Sequence, residues 1–203
     1  MTTNIGVLAS GRGSNLQAIL DAVEAGEIPD AEIAVVVSDK ENAFSLQRAR
    51  KKKIDAVHIN PVDYESRQEY DQAVVDLLKG KKVELVCMAG YMRIISPIFV
   101  KAFPNRVMNI HPALLPSFPG LNAQKQALEY AVKVTGCTVH FADEQVDHGP
   151  IIIQTAVPVL EDDDVDSLSR RILKQEHRIY PEAIKLFCEG RLEVDGRRVN
   201  VIK

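Results

Sequence analysis

Two short stretches of this chain carry residue types that can act on an acyl group or hold an anion. The first is Asn109-Ile110-His111-Pro112. Successive strand residues point to opposite faces, so Asn109 and His111 share one side of a strand, and Pro112 keeps His111 extended. A carboxamide beside an imidazole suits acyl transfer: one donates to a developing oxyanion, and the other donates or shuttles a proton. Two polar side chains capping a buried strand give the same pattern, and the pair alone does not separate the readings. The second stretch is Ser10-Gly11-Arg12-Gly13-Ser14-Asn15. Its glycines permit a sharp turn and close approach to a ligand, and the amides of a following helix favour phosphate. Leu16 stands where the dinucleotide fingerprint has its third glycine, so this is a different motif. Ser14-x-x-Gln17 also reads as a capping box, which explains a helix start but not the two glycines before it.

Two further stretches could support such chemistry. Asp143-Glu144-Gln145-Val146-Asp147-His148-Gly149-Pro150 is an acidic loop. Gly149-Pro150 suits a surface turn, while a carboxylate from the loop would raise the pKa of a nearby histidine. His140 shares a strand face with Thr138 and Ala142, as a core or supporting histidine. His111, His140 and His148 lack a recognisable ligand spacing, so no metal is expected. Along residues 165–187, Val165, Leu168, Ile172, Ile179, Ala183 and Leu186 share one helix face, which Gln175 and Glu176 interrupt. A buried carboxylate needs partners, and a ligand's hydroxyls or the backbone would supply them.

These residues need elements to hold them. Continuous apolar runs at Ile5–Ala9, Ile33–Val37, Val83–Ala89 and Arg106–Ile110 suit parallel strands covered on both faces. Helical patterns at Asn15–Ala25, Ala43–Lys52 and Glu65–Leu78 lie between them. The third carries a stripe of Tyr70, Ala73, Val74, Leu77 and Leu78. Such alternation predicts an α/β fold with a mostly parallel twisted sheet, whose ligands bind at the carboxyl ends of the strands. After Pro112 the pattern changes to a short helix at Ala123–Ala131 and strands at Thr138–Ala142 and Ile151–Val157. These add an antiparallel portion before the helix Val165–Phe187. Leu192–Asp195 and Arg198–Ile202 form a closing hairpin with a turn at Asp195-Gly196.

Composition narrows the classes. The 203 residues are 46% hydrophobic and 26% charged with a net charge of −3, which fits one globular domain over 1–203 and no nucleic-acid partner. The basic run Arg48–Lys53 complements a helix end. Cys87 and Cys137 lie in apolar runs as buried thiols of a reducing, cytoplasmic compartment, and Cys188 makes the count odd. No leader pattern precedes the first strand and no apolar run is long enough for a membrane span, so no membrane partner is expected.

Taken in this order, the four stretches resemble the phosphoribosylglycinamide formyltransferases from Asn4 to about Leu192. The sharpest part is Met108-Asn109-Ile110-His111-Pro112-Ala113-Leu114-Leu115-Pro116, then Phe118-Pro119-Gly120 and the Asp147-x-Gly149-Pro150 turn. The resemblance implies a Rossmann-like formyltransferase fold that transfers the formyl group of 10-formyltetrahydrofolate to the amine of 5-phosphoribosylglycinamide in purine synthesis. It implies small-molecule substrates, no metal, and a monomer or homodimer. It also implies Asn109, His111 and Asp147 as the catalytic trio, and Gly13, Ser14, Asn15 and Glu176 as ribonucleotide-binding residues. Arg67, Met92, Arg93, Ile94 and Ile95, with Asn109 and the loop Asp143, Glu144, Gln145, Val146 and Asp147, would bind the folate. Methionyl-tRNA formyltransferases share the domain but append another and need a basic surface. A formyltetrahydrofolate deformylase would use the same trio to activate water. A non-catalytic nucleotide-binding module would instead use the glycine loop with Asp39 at the end of the second strand.

Overall fold

The computed structural model describes residues 2–202. Contacts divide the chain into two compact units, Met1–Met108 and Asn109–Lys203. In the first, β1 (Thr3–Leu8), β2 (Ala31–Ser38), β3 (Asp55–His58) and β4 (Leu85–Met88) alternate with α1 (Ser14–Glu24), α2 (Phe44–Lys51), α3 (Arg67–Gly80) and α4 (Pro97–Ala102). β1 pairs in parallel with β2 and β4, and β2 with β3. Ile5, Val7, Leu8, Val35, Val36, Val37, Leu85, Val86 and Cys87 are all completely buried. That is why these strands read as unbroken apolar runs: both faces are covered.

β5 (Val107–His111) crosses the boundary between the units. The second unit continues with α5 (Ala123–Glu129), β6 (Val134–Phe141), β7 (Ile151–Pro158), α6 (Val165–Cys188) and a hairpin of β8 (Leu192–Asp195) and β9 (Arg198–Val201). The strand order is β3-β2-β1-β4-β5-β6-β7, with β8-β9 separate. β6 and β7 are antiparallel, and a bulge between Val139 and His140 shifts their register. The mostly parallel α/β sheet with an antiparallel portion is therefore as the sequence predicts. Cys87 and Cys137 are buried and Cys188 is half-buried. Among the described residues, no helix is long and apolar enough to cross a membrane.

Several local expectations change. β3 and α4 went unpredicted, although Pro97 after Ser96 is the residue pair that starts a helix. Ser14 is the first helical residue rather than a cap: left-handed Gly13 occupies the cap position and no side chain bonds there. Gln17 instead reaches Asp21 at 2.7 Å and accepts from Arg48 at 2.7 Å. In the last hairpin Asp195 pairs with Arg198, so the turn residues are Gly196-Arg197. Gly196 has φ 57, which suits the first central position of a type II′ turn. On α6 the buried stripe runs through Leu168, Ile172, Glu176, Ile179, Tyr180, Ala183 and Ile184. Val165 is exposed and Gln175 only half-buried, so Glu176 alone carries the polar interruption into the core.

Two glycines give contrasting tests of this packing. A Cβ on Gly136 would lie 2.0 Å from the Thr155 carbonyl oxygen, whereas one on Gly80 would meet nothing within 4 Å. Gly136→Ala should cost about 1–3 kcal/mol or more by overpacking β6 against β7. Gly80→Ala, near the end of α3, should be neutral or stabilising by up to about 1 kcal/mol. Urea melts of the two variants check this, and equal destabilisation would contradict the packing described for β6.

Candidate active site

The alternation of β5 sets Asn109 and His111 on one side, and the β6–β7 loop brings Asp147 to both. His111 Nδ1 lies 3.2 Å from Asp147 Oδ2. Asn109 Nδ2 donates to Asp147 Oδ1 at 3.4 Å and to His140 Nε2 at 3.1 Å. Two main-chain groups complete the cluster: the Phe118 carbonyl faces His111 Nε2 at 2.8 Å, and the Gly120 amide donates to Asp147 Oδ2 at 2.8 Å. Neither was singled out by type, because every residue carries these groups. The Phe118-Pro119-Gly120 turn was the available signal.

The acceptors fix the proton positions. His140 Nδ1 is 2.9 Å from the Phe141 carbonyl, which can only accept, so Nδ1 carries the proton. Its Nε2 can then accept the hydrogen bond from Asn109. His111 differs, because both its ring nitrogens face acceptors. A neutral ring has one proton and serves one of them; only the imidazolium serves both. Burial pushes His111 below the ordinary histidine range, outweighing the opposite pull of the Asp147 carboxylate and the Phe118 carbonyl, while His140 lowers it further. The upward effect expected from the loop carboxylate is thus present, but desolvation exceeds it. For Asp147 the balance reverses. Burial raises its carboxyl, but His140, the Gly120 amide and the His111 charge together hold it below the usual range.

Backbone geometry delivers the carboxylate. Asp147 has φ 51, a left-handed conformation that short polar Asp tolerates better than most residues. The loop closes where the Phe141 amide donates to the Pro150 carbonyl at 2.9 Å. A Cβ on Gly149 would lie 1.9 Å from the Phe141 carbonyl oxygen, so only glycine fits there. Asp143 turns inward on its own loop and accepts from the Gln145 amide at 2.8 Å. Glu144, Gln145 and Val146 are exposed. After β5, buried Thr138 holds the chain: its hydroxyl donates to the Ala113 carbonyl at 2.7 Å and accepts from the Leu115 amide at 3.1 Å.

In the first unit, Gly13 has φ 68, and a Cβ there would lie 2.8 Å from that of Ser45. The glycine is thus required by backbone and packing, whether or not a phosphate approaches. Ser14 opens α1, and Asn15 is buried. Ser10 ties this loop to the Met92–Ile95 segment: its amide donates to the Gly90 carbonyl at 3.0 Å, and its hydroxyl accepts from the Met92 amide at 2.9 Å. Met92 and Ile94 are exposed, Ile95 is buried, and the Arg93 guanidinium lies 4.6 Å from the Tyr70 ring centre. Exposed Arg67 begins α3. Back in the second unit, Glu176 is only 7% exposed. The Cys137 thiol is pushed up to about 12 by burial and by the Glu176 charge, which puts that carboxylate close to β6.

Two outcomes follow from the histidines. Asp147→Asn should lower the His111 titration midpoint further, as followed by NMR; a rise or no change would contradict the contact. Burial also lowers His177. With folded values below the ordinary ~6.5, both histidines take up protons more readily in the unfolded chain. Their contribution to stability is full above about pH 6.5 and is lost as the pH falls through the folded values. Thermal melts should show the loss as the pH falls below about 6.5, and His177→Gln should make it smaller.

Comparison with known proteins places this cluster in a family. The formyl transferase family model matches residues 3–184. A trifunctional purine biosynthetic protein adenosine-3 from Drosophila melanogaster is 48% identical over 92% of the chain, which spans 14% of that protein's length. A phosphoribosylglycinamide formyltransferase from Escherichia coli (strain K12) is 41% identical over 97% of the chain and 95% of its own length. The crystal structure of a glycinamide ribonucleotide transformylase 1 from Symbiobacterium toebii superposes with a TM-score of 0.98 at 57% identity, covering 100% of this chain and 95% of that one. With the strand order, the β5 dyad and the β6–β7 loop all falling inside the matched residues, the chain belongs to the formyl transferase family.

Proposed function

We propose that this chain is a phosphoribosylglycinamide formyltransferase of the cytoplasm, a monomer or homodimer acting on small molecules alone. It moves the formyl group of 10-formyltetrahydrofolate to the amine of 5-phosphoribosylglycinamide. The observation that carries the reading is the junction of Asn109, His111 and Asp147 in one hydrogen-bonded cluster. The near full-length relative of that name from Escherichia coli supports the choice of acceptor.

The substrate amine attacks the formyl carbon, a C–N bond forms, and the carbonyl oxygen becomes an oxyanion. Asn109 and His111 supply N–H donors to that oxygen. The Asn109 contact with Asp147 at 3.4 Å is long, so its hydrogen is the one readily redirected. His111 must exchange a protein acceptor for the oxyanion, and the new negative charge favours the imidazolium that burial resists. Collapse breaks the bond to the folate nitrogen, which takes up the proton that the amine loses, and Asp147 assists by stabilising the imidazolium. Gly13, Ser14 and Asn15 would hold the ribonucleotide phosphate, and Glu176 the ribose hydroxyls. Arg67 and Met92–Ile95 would contact the folate, as would the loop from Asp143 to Asp147.

Formyl-folate consumption measured with and without the ribonucleotide tests this directly. Consumption that depends on the ribonucleotide is the expected result; consumption without it would identify a hydrolase. Within the transferase, Asp147→Asn should lower kcat by about 10²–10³ with both KM values nearly unchanged. A change confined to KM would remove Asp147 from the chemical step.

A further inference from the structure

The β8–β9 hairpin lies beyond the residues matched to the family, yet it reaches the loop that carries Asp147. Arg197, in the hairpin turn, donates through Nη2 to the His148 carbonyl at 2.8 Å. Its Nη1 lies 3.1 Å from one His148 ring nitrogen and 3.3 Å from the other, so the guanidinium rests against the ring rather than on one lone pair. On its other side His148 Nδ1 meets Asp143 Oδ2 at 2.7 Å. Asp143 also accepts from the Gln145 amide, which closes the loop on itself. His148 is therefore held from outside by the hairpin and from inside by the loop.

The next residue back is Asp147, with its left-handed φ of 51. Even for Asp that conformation is the less favoured one, so contacts that fix the neighbouring residue help to hold it. Fixing the carbonyl and ring of residue 148 holds the Cα to which the peptide leaving Asp147 is joined, and so restrains the backbone that carries its carboxylate. We propose that Arg197 is a positioning residue for Asp147, acting through His148 to aim the carboxylate at His111. Arg197 and His148 are exposed, and such surface contacts add little to global stability. The consequence therefore falls on the loop's populations and not on the fold.

The kinetic part rests on the formyl-transfer reading; the geometric part does not, and the experiment separates them. The full chain is compared with Arg197→Ala, Arg197→Lys, Asp147→Asn and Arg197→Ala/Asp147→Asn, with the His111 titration followed by NMR. The titratable groups that face His111 are Asp147 and His140. Arg197→Ala should move the His111 midpoint downward, in the direction of Asp147→Asn but less far, with the thermal midpoint unchanged. Arg197→Lys should recover part of the difference, and adding Arg197→Ala to Asp147→Asn should move His111 no further. In turnover, Arg197→Ala should lower kcat by about two- to fivefold with little change in the ribonucleotide KM. A His111 midpoint indifferent to Arg197→Ala, or one that moves equally without the Asp147 carboxylate, overturns the proposal. A midpoint that moves as expected in a protein unable to transfer formyl groups would sink the activity reading and leave the positioning role standing.

Discussion

A carboxylate drawn partly out of water must find donors, and around Asp147 that requirement organises the second unit. Its two oxygens are met by a main-chain amide, a carboxamide and an imidazole, drawn from the β5–α5 loop and the end of β5. Each donor is itself held. The carboxamide of Asn109 is anchored on His140, whose tautomer is fixed by the Phe141 carbonyl. The loop between β5 and α5 is pinned by Thr138, which in turn accepts from Gln154. The strands therefore act as a frame that keeps a short, partly buried polar network oriented.

Burial and charge pull the two ends of the His111–Asp147 contact in different directions. The carboxyl stays ionised because several donors act on it at once, while the imidazole loses more hydration than one carboxylate returns. The carboxyl is thus drawn towards its charged form and the imidazole towards its neutral one, and a second negative charge at the site would favour the imidazolium. In an acyl transfer that charge appears as the reaction proceeds, so protonation of His111 is favoured most where it is most useful.

Much of this framework was legible in the residues. Unbroken apolar runs gave the parallel strands, alternation along β5 put Asn109 and His111 together, and a polar residue in an apolar seam marked Glu176. What stayed hidden has physical reasons. Four-residue β3, with a burial pattern of one exposed and three half-buried residues, has no apolar run to read. The Phe118 carbonyl and Gly120 amide have no side-chain signature. The fall in His111 titration depends on desolvation, which only packing determines. The contact between Arg197 and His148 spans 49 positions and joins two ordinary surface residues. Gly13 shows that one residue can meet two demands: a glycine read for a ligand is also required by its φ and by Ser45.

The cysteines carry a practical consequence. Cys87 and Cys137 are fully enclosed, and the Cys137 thiol, pushed up to about 12, supplies almost no thiolate at neutral pH. Half-buried Cys188, the last residue of α6, is the cysteine of the three that an alkylating reagent can approach. A fluorophore or spin label attached without any engineering therefore lands at one address, four residues before the hairpin that carries Arg197. The unmodified chain comes with its own reporter for motions of that hairpin.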